Sequence, residues 1–532
     1  GYHFAPAMRF AGIDHLFIKG RSNEPKFLWI DDEKIEIKNA SSFWGMNTIE
    51  TQEAIKSDLG DSEIQSLVIG IAGERMVKFA NIRTGMKSSA GKGGGGCVMG
   101  SKNLKAIAVR GSSDLSFSRP DELVNYCKEL SDKFMETKWA KALSKWGTMA
   151  QYSAISTSGY LRNKNLQNNK MENAESIDVR NIIKYQTGKT SCYGCTVGCR
   201  HRYHLDGSSL IGEGPEFSTQ LYLGHLLDCA DFEYLLKVND LTNLLGIDQM
   251  EIGSIIAGTI DLLENGLISK NSLDNLNLGW GETGAILKII DMIAKREGFG
   301  NILAEGIKGI IKEIGKDSER YFPNIKGMGT LATDDRYTPS FALGIATSTR
   351  GADHLRSRPA IDTYGLPEEV LSGIYGCSVS SNRRSLEGKS RMIWLHELLY
   401  SIVDSLGLCK LQTVFISVNA PKFEEYSKLI ELATDIIIPR DDLMQIGERI
   451  CTLERLFNNR EGFTRKDDNL PRVYYEGKIL KGYPHKENMI TEEEFGKLLD
   501  QYYELHGWDN KGIPKENTLE MLGLNKEPTH IL

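Results

Sequence analysis

Three cysteines stand close together at Cys192, Cys195 and Cys199, in the stretch "SCYGCTVGCRHRY", with the spacing C-x2-C-x3-C. Thiolates this close on one loop can hold three corners of an iron–sulfur cubane. The small residues Gly194, Thr196 and Gly198 between them let backbone amides turn toward sulfide. Structural zinc is the alternative. Zinc sites of this kind usually add a second C-x2-C or an H-x3–5-H, whereas His201 and His204 give only H-x2-H. The reversed spacing, C-x3-C-x2-C, would suggest a radical S-adenosylmethionine enzyme, and that order is not the one present. A fourth thiolate must come from elsewhere in the chain. Cys127, Cys229 and Cys451 lie in apolar or helical stretches and read as small core residues. Cys97, Cys377 and Cys409 lie beside glycine-bearing turns, and all three stay open as the fourth ligand. Cys409 follows a long apolar helix that stops at Gly407, so it can point into a loop.

A second feature is the glycine loop "GKGGGGCVMG" at 91–100. It is neither G-x-G-x-x-G nor a Walker A sequence. Four adjacent glycines are entropically costly to order, which points to backbone approaching phosphate or a polycyclic ligand. Lys92 and Lys102 are the nearby charge partners. A short pattern also recurs. "NLLGID" (Asn243 to Asp248) and "DSLGLC" (Asp404 to Cys409) share polar-x-x-Gly-apolar-polar, each after an apolar helix. These turns read either as ordinary glycine C-caps or as two grips on a pseudo-symmetric ligand.

These residues need a large scaffold. The chain has 532 residues, enough for two to four domains. A net charge of −7 argues against nucleic acid as the main partner. No uninterrupted apolar run of about 18 residues occurs, so no transmembrane helix is expected. "GYHFAPAMRF" at the start lacks a charged region followed by an apolar one, so it is not read as a signal peptide. It also lacks an initiator Met, which reads as an incomplete or processed polypeptide. Nine cysteines in so long a chain do not suggest a disulfide scaffold, and a cytoplasmic location is expected.

Residues 1–113 read as mostly β. "KFLWIDDEKIEIKN" is a hairpin, Asn47 with Glu50 starts a helix that Gly60 stops, and "SLVIGIAGERMVKFANIR" supplies two more strands. The glycine loop then leads into a strand from Leu104. From about Pro120 apolar residues recur at three and four, so 114–330 and 331–532 read as two mostly helical domains, with a break after Pro323. The fold class is α+β.

Taken together, "FAPAMRFAGIDHLFIKG", "GKGGGGCVMGSKNLKAIAVRG", "CYGCTVGC", "EGPEFST", "GIDQ", "RGADHLR" and "DSLGLCK" resemble the aldehyde ferredoxin oxidoreductase family in its order. These are tungsten enzymes with two pyranopterin dithiolenes and one [4Fe–4S] cluster. The resemblance implies a β-rich pterin-binding base domain under two helical domains. It also implies that part of the first domain lies outside this sequence. By motif, Cys192, Cys195, Cys199 and Cys409 would hold the cluster. Asp404, Gly407 and Leu408 would contact one pterin, and Asn243, Gly246, Ile247 and Asp248 the other. In the glycine loop, Ser89, Ala90, Gly91, Lys92 and Gly93 would meet the cofactor. Two positions depart from the family: Asn243 replaces a frequent Asp, and Lys92 replaces a more usual Arg, which weakens bidentate phosphate binding there. A Mg2+ ion bridging the pterin phosphates is part of the same expectation.

The resemblance also implies roles. Glu216 in "EGPEF" matches the catalytic glutamate, a carboxylate that can take a proton from attacking water. His354 in "GADHLR" is a candidate proton donor. His225 follows Glu216 by nine residues, a pairing similar to that of the tungsten subunit of class II benzoyl-coenzyme A reductase. Two enzyme readings follow. One interconverts aldehydes and carboxylic acids, passing electrons through the cluster to ferredoxin. The other reduces an aryl-coenzyme A. Some homodimeric members bind a bridging metal through E-x-x-H, but Glu233 is followed three residues on by Leu236, so a partner subunit carrying iron–sulfur clusters is expected instead. A zinc-stabilised, non-catalytic helical binding protein is the reading from a different class.

Overall fold

The computed structural model describes residues 2–207, 210–315, 317–414, 422–476 and 489–525. The architecture is α+β, with the larger sheet at the N-terminal end and helices dominating the remainder. The contacts divide the chain into two compact units. One holds residues 2–115 and 141–322, and the other holds 116–140 and the described residues beyond 322.

The first unit is built on a mixed sheet of β1 (Lys26–Asp31), β2 (Lys34–Asn39), β3 (Gln65–Val68), β4 (Ile82–Thr84), β5 (Ser88–Ala90) and β6 (Leu104–Arg110). Its order is β2-β1-β6-β3-β4-β5, with β1 and β6 parallel and the other neighbours antiparallel. β6 runs through the middle and is buried from Leu104 to Val109, as a strand covered on both faces should be. Ile30, Ile69 and Val109 fill one face, and Phe27, Ile55, Val68 and Ala108 the other.

Local signals hold well here. Asn47 accepts from Ile49 and Glu50 amides, Glu50 returns the bond to the Asn47 amide, and the helix Thr48–Leu59 ends on left-handed Gly60. The second expected strand after β3 is only partly present. "IAGE" is instead a short helix, Ile71–Glu74, and the chain becomes extended again only at Ile82. The glycine loop likewise turns into a helix, Gly95–Ser101, before β6 begins.

A second, three-stranded antiparallel sheet joins β7 (Gln186–Thr190), β8 (Arg200–His204) and β9 (Ile211–Glu213). The cysteine run is the β7–β8 connection, and Glu216 follows β9. The helices Phe232–Leu245 and Gln249–Glu264 complete this neighbourhood. In the second unit the helix Lys389–Ser405 is the central element, buried along most of its length against Arg440–Arg460 and Glu492–Leu505.

Candidate active site

The loop 191–199 turns tightly. The Cys195 amide donates to the Cys192 carbonyl at 3.1 Å, and Gly194 and Gly198 are both left-handed, at φ 65° and 58°. Those two positions therefore favour glycine for conformational reasons. All three thiols are half-buried. Arg200 follows immediately. It pairs with Glu213 through Nε, donates to Ser88 Oγ at 2.5 Å, and lies 4.0 Å from Cys192 Sγ. Among the described residues, no three His, Cys, Asp or Glu side chains converge closely enough to hold a single metal ion. A cubane binds each thiolate at a separate iron and needs no such convergence. Cys409 belongs to the second unit and is exposed there. Of the other cysteines, Cys229 and Cys451 are buried, but Cys127 is exposed: it sits on the outer face of the helix Pro120–Met135 rather than in a core.

Glu216 is the N-cap of the short helix that follows β9. Its carboxylate accepts from Lys87 Nζ and from Thr148 Oγ1. Thr148 is itself fixed, because its hydroxyl also accepts from the Phe217 amide at 2.9 Å. Burial alone would raise the carboxyl pKa. The Lys87 ammonium outweighs it and, with Thr148, holds Glu216 below the ordinary glutamate range. Glu216 is thus a carboxylate held toward its ionised form, with a fixed orientation.

His225 closes a π-helical turn, Gln220–His225, in which the Leu226 amide reaches back to the Leu221 carbonyl. Such turns often sit at functional sites. The ring is fully buried. Its Nδ1 lies 2.9 Å from the Tyr152 hydroxyl, and its Nε2 has no hydrogen-bond partner. Burial drops its pKa to about 4, so the imidazole is neutral. His354 lies in the second unit, beside buried Asp353, with Nδ1 3.8 Å from Asp353 Oδ1.

The recurring helix-end pattern is real at the backbone level. The Gly246 and Gly407 amides donate to Asn243 and Asp404 carbonyls, at 3.2 and 3.1 Å. The Ile247 and Leu408 amides donate to Thr242 and Val403 carbonyls, both at 3.0 Å. Both glycines are left-handed. The two turns are therefore the same C-cap motif.

Their side chains are engaged differently. Asn243 is buried, and its Oδ1 accepts from Arg83. Asp248 caps the next helix through the Met250 and Glu251 amides, and its other oxygen accepts from the Lys92 amide at 2.8 Å. Asp248 thereby ties the first turn to the glycine loop. Asp404 is half-exposed and forms ion pairs with Lys410, at 2.8 Å, and Arg356, at 3.4 Å.

The first unit fits an anionic, phosphate-bearing cofactor. Lys92, Gly93 and Gly94 are consecutively left-handed, at φ 61°, 70° and 71°, a backbone shape whose amides can face an anion. A Cβ at Gly94 would lie 2.2 Å from the Lys78 carbonyl oxygen, so the cradle excludes side chains. Ser89 and Ala90 form the edge strand β5. Behind them Arg83 is buried with its Nε unpartnered, and Arg200 Nη2 is unpartnered too. Burial, then repulsion from Arg200, lowers the Arg83 pKa to about 9. Two buried guanidiniums with unsatisfied donors call for negative charge.

Lys87, Thr148, Tyr152, Arg83 and Arg200 were not singled out from sequence. Only the basic character of "RTGMK" before the glycine loop hinted at Arg83 and Lys87.

Known proteins are similar to this chain over nearly its whole length. Residues 1–111 match the model of the aldehyde ferredoxin oxidoreductase N-terminal domain, and residues 125–524 match that of domains 2 and 3. The chain is 32% identical to the tungsten-containing aldehyde ferredoxin oxidoreductase of Pyrococcus abyssi, over 99% of this chain and 84% of that protein. It is 30% identical to the aliphatic sulfonate oxidoreductase, WOR-like subunit, of Pyrococcus furiosus, over 98% and 81%. Its fold is similar to the active-site complex BamBC of benzoyl-coenzyme A reductase bound to 1,5-dienoyl-CoA. The TM-score is 0.82 at 26% identity, covering 99% of this chain and 83% of that one.

Proposed function

The chain belongs to the aldehyde ferredoxin oxidoreductase family, and on that premise we propose that this oxidoreductase interconverts aldehydes and carboxylic acids. The observation that carries the reading is Glu216, an ionised carboxylate oriented by Lys87 and Thr148. Oxidation of an aldehyde by water releases two electrons and two protons. Glu216 takes one proton from the water oxygen as that oxygen bonds to the carbonyl carbon; the second proton comes from the aldehyde C–H, whose bonding pair supplies the two electrons, and the reverse reaction returns both. Lys87 keeps the carboxylate ready before each turnover and stabilises its charge after release. When bound, the tungsten (or molybdenum) bis-pyranopterin supplies the two-electron acceptor, and the cluster carries electrons onward singly.

The residues that hold these groups are part of the proposal. Cys192, Cys195, Cys199 and Cys409 ligate the [4Fe–4S] cluster. Ser89 to Gly93, Asn243 and Gly246 to Asp248 hold one side of the cofactor, with Arg83 and Arg200 as charge partners. Asp404, Gly407 and Leu408 hold the other side, and His354 assists proton transfer. We propose a base domain, 1–113, and helical domains 114–330 and 331–532. Electrons leave to ferredoxin or to an iron–sulfur subunit. Among the described residues no helix is long and apolar enough to cross a membrane.

One observation favours a second reading. His225 is a neutral, buried imidazole with a bare Nε2. A buried N–H donor of that kind suits stabilising the charge that develops when an aryl-coenzyme A is reduced. The test is metal analysis of the purified protein, then turnover with aldehydes and viologen dye against turnover with an aryl-coenzyme A. Tungsten or molybdenum with iron and aldehyde oxidation is the expected result. Zinc alone would sink both enzyme readings, and activity confined to the aryl-coenzyme A would replace the first with the second.

A further inference from the structure

One short segment touches both acid–base candidates. The 3-10 turn Gly147–Gln151 runs straight into the helix Tyr152–Thr157. Thr148 donates to Glu216, and Tyr152 meets His225, although these partners lie 68 and 73 residues away in sequence. The segment is itself anchored. Gly147 is left-handed, at φ +63°, and a Cβ there would lie 2.9 Å from the Cys199 carbonyl oxygen, so it packs directly on the end of the cysteine run. On the far side of His225, Asn163 Nδ2 donates to the His225 carbonyl at 2.7 Å.

We propose that 147–152 is the positioning element of the acid–base pair, with Thr148 aiming the Glu216 carboxylate and Tyr152 fixing the tautomer of His225. The inference rests on the reading of Glu216 and His225 given above. The Tyr152 hydroxyl is buried, and among the described residues His225 Nδ1 is its one hydrogen-bond partner. Accepting from an Nδ1–H would leave the phenol's own O–H unpaired, so Tyr152 donates to His225 Nδ1. Burial also raises the phenol above its ordinary range, so it keeps that proton. An imidazole that accepts at Nδ1 carries its proton on Nε2. Nε2 is the nitrogen without a protein partner. The neutral ring is thus presented as a hydrogen-bond donor, in one tautomer. Tyr152 and Thr148 are positioning residues; neither needs to touch substrate.

The test uses 15N-histidine-labelled holoenzyme in its oxidised, diamagnetic state. The His225 signals are those lost in His225→Gln. Protonated Nε2 and bare Nδ1 are expected in the wild type, and a mixture of tautomers in Tyr152→Phe. Tyr152→Phe should also lower kcat about tenfold with KM within about twofold, since a misdirected hydrogen-bond donor stabilises the transition state less while binding is unchanged. Thr148→Ser should keep turnover, and Thr148→Val should lose about as much as Tyr152→Phe. A wild-type proton on Nδ1, or nitrogen signals that Tyr152→Phe does not move, overturns the proposal. Full turnover in His225→Gln would instead refute the role of His225, while the nitrogen signals would still decide whether Tyr152 sets its tautomer.

Discussion

Replacing Glu216 by Gln separates charge from shape at the centre of the site. The amide fills the same volume and still offers an oxygen to Lys87 and Thr148. It cannot take a proton. A positioned general base is worth about 10²- to 10⁴-fold in rate, or about 3–5 kcal/mol of barrier. Turnover of aldehyde should fall by that factor with tungsten and iron content unchanged. The same change strands a charge. The Lys87 side chain is 9% exposed and Glu216 35%. Breaking a fully buried pair costs about 3–5 kcal/mol. Contact of Glu216 with water and the surviving amide acceptor reduce this to about 1–2 kcal/mol here.

A double-mutant cycle checks the physical basis. Lys87→Met leaves a half-buried carboxylate with Thr148 alone, and Glu216→Gln leaves a nearly buried ammonium. The pair Glu216→Gln/Lys87→Met leaves neither charge. Its loss of stability should be smaller than the sum of the single losses by about 1 kcal/mol or more. Acid titration gives an independent check. The folded pKa of Glu216 lies below its unfolded value, so its contribution is present above the unfolded pKa and is lost as pH falls through the folded one. Glu216→Gln should lack that part of the acid loss. Wild-type kcat in Glu216→Gln, measured with full metal content, would refute the assignment of Glu216 as base. Strict additivity in the cycle would refute the ion pair.

Three further outcomes are expected. Cys409→Ala should lose the cluster while Cys377→Ala keeps it, read as iron content and the cluster's electron paramagnetic resonance signal after reduction; equal iron in both variants would refute Cys409 as the fourth ligand. Arg83→Met should lower pterin and tungsten content, because it removes a buried cation whose Nε has no protein partner; it also breaks the bond to Asn243 Oδ1, so loading is read on protein shown to be folded by circular dichroism, and normal cofactor loading would show that the guanidinium serves the fold alone. His506 is clamped between Glu448, at 2.6 Å, and Glu397, at 3.2 Å. Burial would lower its pKa, but the two carboxylates raise it to about 9. The stability it supplies is full below the unfolded pKa and is lost as pH rises through about 9. His506→Gln should flatten the stability curve between about pH 6.5 and 9, and an unchanged slope there would refute the imidazolium.

Much of the frame was legible because its signals are local. The Asn47 cap, the Gly60 stop and the β1–β2 hairpin are each written within a few residues, and each folds as written. The paired turns at Gly246 and Gly407 were legible for the same reason, down to matching amide bonds. Failures came where burial overrode local preference. "GERMVKFANIR" has strand-like composition, yet Gly70 to Gly73 pack against the Leu245 turn and the glycine helix, and the chain bends there instead. Cys127 has a helical context but no burial, because its helix turns that face to water.

The site shows the sharper limit. A motif names the residue that reacts; it does not name what holds that residue. Lys87 lies 129 residues before Glu216, and Tyr152 lies 73 before His225. Neither distance has a periodicity to reveal it, since each contact joins elements far apart in the chain. His225 illustrates the consequence. Nine residues of regular α-helix would put it on the face opposite Glu216, at 100° per residue. The π turn Gln220–His225 breaks that register, and the ring meets Tyr152 on the segment that also holds Glu216. Whether His225 presents an N–H from this position therefore depends on a π turn and a distant tyrosine, as much as on the histidine itself.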